Sequence, residues 1–205
     1  MRTARKLLIT AAAAATALAL AGCADSSMEG MDHGDGSAST PATDSSAASA
    51  AGANGADVAF ATMMIPHHEQ AIEMSELLLA EPELSDPVRA LAEGVMAAQQ
   101  PEIDQLRDWL AEWGQGEADM GGMDHGDGMM SEDDLVALEA AAGAEAERLY
   151  LEQMIVHHEG AVEMAEAEIA DGEHPDAVAM AERIVATQSD EIALMQELLG
   201  ASPRG

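Results

Sequence analysis

The chain has 205 residues, 48% of them hydrophobic but only 2% aromatic, with 15 Met and a single Cys. One moderate core rich in Ala, Leu and Met is within reach, and two full domains are not. A formal net charge of −31 excludes nucleic acid and anionic lipid head groups as partners and favours cations, although it also serves as an ordinary solubilising surface.

Residues 1–22 read as a processing segment. Arg2, Arg5 and Lys6 form a positive n-region, Ile9 to Leu20 is apolar but too short to span a membrane comfortably, and Leu20-Ala21-Gly22-Cys23 resembles a bacterial lipoprotein signal. Cleavage before Cys23 would leave its thiol to carry a thioether-linked diacylglycerol. As the only cysteine it cannot form an intramolecular disulfide, so position explains it better than redox chemistry does. The expected localisation is the cell envelope, at the outer face of the cytoplasmic membrane or in the periplasm, with the chain anchored to lipid through Cys23. The alternatives are an ordinary secretory signal and an uncleaved anchor.

Residues 23–56 are mostly Ser, Ala, Gly, Asp and Thr, the composition of a flexible tether. Within it, Met28-Glu29-Gly30-Met31-Asp32-His33-Gly34-Asp35-Gly36 recurs as Met120-Gly121-Gly122-Met123-Asp124-His125-Gly126-Asp127-Gly128, followed by Met129 and Met130. A methionine in a polar, Gly-rich stretch has no core to pack into. Met28, Met31, His33, Met120, Met123, His125, Met129 and Met130 are therefore expected to be weaker metal ligands on a loose backbone. The plain alternative is a duplicated linker with no role.

The folded part, 57–205, reads as a repeat at 57–113, a Met/His loop at 114–130 and a second repeat at 131–200. The first helix runs from Asp57 to about Glu81, with Pro66 interrupting one backbone hydrogen bond and kinking it just before His67. Asp86 is expected to cap a second helix that Pro87 opens and that ends near Trp113-Gly114, bent at Pro101. Ser131-Glu132-Asp133-Asp134 is a capping pattern for a short helix ending near Gly143. A third long helix follows, then a turn at Asp171 to Pro175, where His174 is expected to cap rather than bind metal, and a fourth helix from Asp176 to Leu199-Gly200. No alternating apolar run predicts a strand. The fold class is all-α, a four-helix bundle made from two repeated helical hairpins.

The two repeats share one stretch above all. Met64-Ile65-Pro66-His67-His68-Glu69-Gln70-Ala71-Ile72-Glu73-Met74 returns ninety positions later as Met154-Ile155-Val156-His157-His158-Glu159-Gly160-Ala161-Val162-Glu163-Met164. At about 100° per residue, Asp57, Phe60, Met64, His67, His68, Ala71, Met74, Ser75 and Leu78 share one helix face, and the second copy places Tyr150, Met154, His157, His158, Ala161 and Met164 alike. That face has to be the core face and the His face at once.

A Met stripe at helical spacing is ordinarily core packing, and a single inward His is ordinarily a hydrogen-bonded core residue. Burying four imidazoles without ligands or partners would cost roughly a few kcal/mol each. Imidazole and thioether together suit copper, as Cu(I) or Cu(II), so His67, His68, Met64, Met74, His157, His158, Met154 and Met164 are the candidate metal ligands. A di-iron bundle needs Glu-x-x-His pairs or His on all four helices, and neither is present.

These residues resemble the domain of unknown function 305 family over about residues 57–200. The resemblance rests on Phe60-x3-Met64-Ile65-x-His67-His68-x2-Ala71-Ile72-x-Met74, on Leu138-x4-Gly143 ahead of Tyr150-x3-Met154-Ile155-x-His157-His158-x2-Ala161-Val162-x-Met164, and on Gln99-x2-Glu102-Ile103 with Gln188-x2-Glu191-Ile192. The copies differ where Leu106 stands against Met195. The resemblance implies a ferritin-like four-helix bundle and, for some members, extracytoplasmic copper binding. The expected function is a membrane-tethered copper buffer or chaperone with a copper-handling protein as partner, and no catalytic residues. The alternatives are a ferritin-like metal-dependent oxidase, with Glu69 or Glu159 as its acid/base, and a structural surface lipoprotein.

Overall fold

The computed structural model describes residues 52–115 and 128–201. The signal, most of the tether, Cys23, and the candidate ligands Met28, Met31, His33, Met120, Met123 and His125 lie outside the described residues. Within them the chain forms helices α1 (Gly55–Leu79), α2 (Asp86–Glu112), α3 (Glu132–Ala140), α4 (Ala144–Asp171) and α5 (Pro175–Ala201), with no strand. α1 pairs with α2 and α4 with α5, and the two hairpins meet mainly along α1 and α4. The result is the expected all-α bundle of two hairpins, with α3 as a short addition. Among the described residues no helix is long and apolar enough to cross a membrane.

Local chemistry sets the helix ends. Asn54 opens α1: its side-chain oxygen accepts from Ala56 N at 2.6 Å and Asp57 N at 3.1 Å, while the Asp57 carboxylate accepts in return from Asn54 N. α1 continues through Pro66, whose missing N–H costs one bond in a helix held along its length by packing. At α2 the expectation is corrected. Ser85, not Asp86, is the N-cap, because the first helical bond runs from Arg89 N to Ser85 O at 3.0 Å, and its side chain makes no capping bond. Ser131 and Asp134 form the expected reciprocal cap of α3. His174 also caps as expected: its Nδ1 accepts from Ala177 N at 3.3 Å at the start of α5.

Two buried clusters fill the bundle. One gathers Phe60, Met64, Ile103, Trp109 and Ile184, and the other Met74, Leu91, Tyr150, Leu151 and Met195. On α1 the first cluster ends at Ile65 and the second begins at Ala71, so His67 and His68 lie between them. The duplication makes the ends alike. Asp57 at the head of α1 accepts from Glu173 N at 3.2 Å and His174 N at 2.9 Å, ahead of α5, and Glu147 at the head of α4 accepts from Ser85 N, ahead of α2.

One difference between the two halves matters for access. α3 lies against α1 and α4, burying Leu138 among Leu77, Leu135 and Leu149. The groove related to that one by the repeat, between α1 and α4 beside Phe60, Met63, Met164 and Glu168, stays open with a volume of about 370 Å³.

Candidate metal centre

The crossing of α1 and α4 brings His67 of one pair against His157 of the other, with His158 beside it. The ring centroids of His67 and His157 are 3.8 Å apart with their planes at 39°, and the His157 and His158 centroids are 6.4 Å apart. All four histidines are buried, none more than 1% exposed. Burial holds His157 well below its usual pKa of 6.5, and the neighbouring His67, His158 and His68 push it the same way. Two imidazolium rings about 4 Å apart would repel by about 4 kcal/mol at an effective dielectric constant of about 20. His157 is thus kept in the lone-pair form that a metal requires.

The outer histidine of each pair is held by a carboxylate from the second helix of its own hairpin. His68 Nε2 lies 2.8 Å from Glu102 Oε2, and His158 Nε2 lies 2.8 Å from Glu191 Oε2. When the ring is neutral and Nε2 carries the proton donated to the carboxylate, Nδ1 is left with a lone pair. In both residues that Nδ1 is buried without a hydrogen-bond partner. A buried acceptor with nothing to accept from is costly, and a metal ion is one way to satisfy it. Gln99 and Gln188 stand one turn before the two glutamates, each 3% exposed, with a buried and unpartnered side-chain oxygen.

The thioethers divide by height. Met64 and Met154 are fully buried and lie one turn before the histidines of their helices. Met74 and Met164 share the same faces but come seven residues after His67 and His157, about 10 Å further along the axis. Met74 packs in the cluster around Tyr150, and the half-buried Met164 lines the open groove with Met63. Neither is brought to the level of the facing rings. Met129 and Met130, expected on a loose loop, are instead placed against the bundle: Gln70 Nε2 donates to Met130 O at 2.9 Å and Met130 N donates to Gln70 Oε1 at 2.7 Å.

Among the described residues no three His, Cys, Asp or Glu side chains converge into a ready-made metal site. The donor set here is imidazole with thioether, which suits soft or borderline ions rather than an ion that demands several carboxylates. Glu69 and Glu159 are exposed, and Glu69 pairs with Arg107 on the surface. Neither stands in the buried centre as an acid or base would.

The sequence reading did not place Glu102, Glu191 or Gln70 in the site. The Gln-x2-Glu spacing, repeated 89 residues apart, was the available signal, because it puts both side chains on one face of a helix.

The model of the family described as Domain of unknown function (DUF305) matches residues 57–199. Among solved structures, a DUF305 protein from Streptomyces coelicolor is 31% identical with a TM-score of 0.66, over 71% of this chain and 92% of that one. A DUF305 fragment from Deinococcus radiodurans is 30% identical with a TM-score of 0.67, over 73% of this chain and 99% of that one. CopM in its Cu(II)-bound form is 34% identical with a TM-score of 0.62, over 70% of this chain and 95% of that one, and CopM is similar also in its Cu(I)-bound and Ag-bound forms. Among curated proteins, none matches.

Proposed function

Because the chain belongs to the DUF305 family, we propose that it is a copper-binding protein of the cell envelope, buffering copper or passing it on without transforming it. The observation that carries this reading is the meeting of His67 and His157 at 3.8 Å, flanked by two carboxylate-bound histidines with free, buried Nδ1 atoms. The solved forms of CopM with Cu(I), Cu(II) and Ag support it as the behaviour of a similar protein.

In this reading copper is cargo. His68 and His158 offer Nδ1, His67 and His157 offer the central rings, and Met64 and Met154 supply thioethers one turn away. Thioethers bind Cu(I) without losing a proton and resist forming disulfides where thiols would not, which suits an extracytoplasmic protein. Cys23 carries the lipid anchor, Met28, Met31, His33, Met120, Met123 and His125 form weaker capture sites, and a copper-handling protein receives the ion.

The test is an anaerobic Cu(I) titration and an aerobic Cu(II) titration of the mature chain, followed through the imidazole 15N resonances. Binding at the centre moves the signals of His67, His68, His157 and His158 together. If copper binds while those four sets of signals stay still, the bundle is scaffold and this reading is wrong. Metal that binds only the native state also raises the melting temperature, so an unchanged transition at saturating copper would count against it.

A further inference from the structure

We propose that Met129 and Met130 form a soft-cation entry site, held by Gln70 over the seam of α1 and α4, from which Cu(I) passes to the buried histidines. The inference rests on the copper reading above and assigns it a route.

Two contacts fix this short stretch. The first is the amide clamp: Gln70 gives and takes one hydrogen bond each with the backbone of Met130, at 2.9 and 2.7 Å. The second is a close approach at Gly128. Its φ of +93° is a conformation that a side chain resists, and a Cβ there would fall 2.7 Å from Val156 O and 3.0 Å from Gly160 Cα. Only glycine permits the backbone to lie so close to α4. Gly160 is itself the residue that replaces Gln70 in the second repeat.

These anchors place the stretch with respect to the metal centre. Val156 adjoins His157 on α4, and Gln70 comes one turn after His67 on α1. Gly128 to Met130 therefore joins the two helices within a turn of the level where their rings face each other. Met129 and Met130 line a cavity of about 320 Å³ with Gln70, Ser131 and Glu132; both are half-buried, and Met130 also packs against the cluster around Met74 and Tyr150. They can meet solvent on one side while staying close to the seam on the other.

The chemistry is ligand exchange without change of oxidation state. Cu(I) leaves two neutral thioethers for imidazole nitrogens, and no proton or electron moves. A fully loose chelator would lose conformational entropy on each capture, and the clamp has already fixed this part of the chain. Gln70 is a positioning residue: it touches the backbone that carries the ligands and not the metal.

The experiment compares full mature chains: wild type, Gln70→Ala, Gln70→Glu, Met129→Leu with Met130→Leu, and Met63→Leu as a control in the open groove. Each receives Cu(I) from a coloured chelate under anaerobic conditions, and the rate is read from the loss of chelate colour. The end state is read from the histidine 15N signals. Gln70→Ala and the double Met variant should load about three- to tenfold more slowly, the factor set by ordering one rotamer-rich side chain at each capture. Their end state and helical content should match wild type. Gln70→Glu keeps the acceptor for Met130 N but loses the donor to Met130 O, and should fall between. Loading at the wild-type rate in the double Met variant overturns the entry site, as does slowing in Met63→Leu of the same size. Loss of the histidine end state in wild type sinks the copper reading itself, a result distinct from either.

Discussion

Glu168 stands in the second repeat at the position that Leu78 holds in the first, and both are buried to within 1% exposure. The second repeat has thus put an ionisable group where the first has a core leucine. Its neighbour is Asp57. Burial and the neighbouring Asp57 carboxylate push Glu168 up to about 8 from 4.5. Burial alone would raise Asp57 too, but the backbone N–H groups of Asn54 and His174 outweigh it and hold that carboxyl below 3.8. The glutamate keeps the proton and the aspartate keeps the charge. Gly172 makes room for this, since a Cβ there would lie 2.5 Å from Glu168 Oε1.

The pH dependence follows in sign. Between pH 4.5 and about 8 the folded chain binds this proton more tightly than the unfolded chain does, so the stabilisation is complete below 4.5 and is lost as pH rises through about 8. Asp57 works the other way, its contribution present above 3.8 and lost as pH falls further. Glu168→Gln should remove the alkaline loss and make the protein more stable than wild type at pH 9, with little change at pH 5. Urea midpoints at the two pH values measure this, and parallel slopes in the two proteins would acquit the carboxyl.

The helices, the repeat and the inward face of the histidines were legible because each is a matter of period and caps within one segment. Placement along the axis was not. Met74 and Met164 share the face of His67 and His157, yet a face is a stripe as long as the helix, and about 1.5 Å per residue carries them two turns from the rings. That His67 meets His157 depends on how α1 crosses α4, and no pattern within either helix specifies it. The Gln70 clamp joins a side chain to a backbone 60 residues away, so nothing local announced that Met129 and Met130 would leave the loop for the bundle surface. The cap at Ser85 was misplaced by one residue because Ser and Asp both favour that position.

Tyr150 and Phe60 occupy matching places, and the extra hydroxyl has a defined role. Ser75 Oγ donates to Ala71 O at 2.7 Å, so the 3.0 Å contact between Ser75 Oγ and the Tyr150 hydroxyl has the tyrosine as donor. Burial raises the phenol pKa and keeps that proton in place. Tyr150→Phe loses this one bond without stranding the serine proton. It should cost about 1 kcal/mol in chemical denaturation, with the copper end state unchanged.

Glu102 and Glu191 orient His68 and His158 through their 2.8 Å contacts with Nε2. Glutamine in their place can accept through its oxygen or donate through its nitrogen, so the ring loses its fixed tautomer and Nδ1 is no longer reliably the lone pair. Glu191→Gln should weaken copper binding by about ten- to a hundredfold, and Glu102→Gln by a similar factor. Competition with a chelator of known affinity gives the size. A change confined to one of the two variants would show that the two halves of the centre bind unequally.

The thioethers offer the most direct test of height within the bundle. Met64 and Met154 lie one turn from the histidines of their helices and are fully buried, whereas Met74 and Met164 lie about 10 Å from the level of the rings. Leucine is close to methionine in volume, and such swaps in a core cost under about 1.5 kcal/mol, so the fold survives in every variant and the sulfur alone is removed. Met64→Leu with Met154→Leu should therefore lower Cu(I) affinity while leaving Cu(II) affinity nearly intact, because the softer ion gains more from thioether. Met74→Leu with Met164→Leu should leave both affinities at the wild-type value. If the second pair weakens Cu(I) binding as much as the first, the sites are spread along the stripe, and the facing pair of His67 and His157 is not where the copper is held.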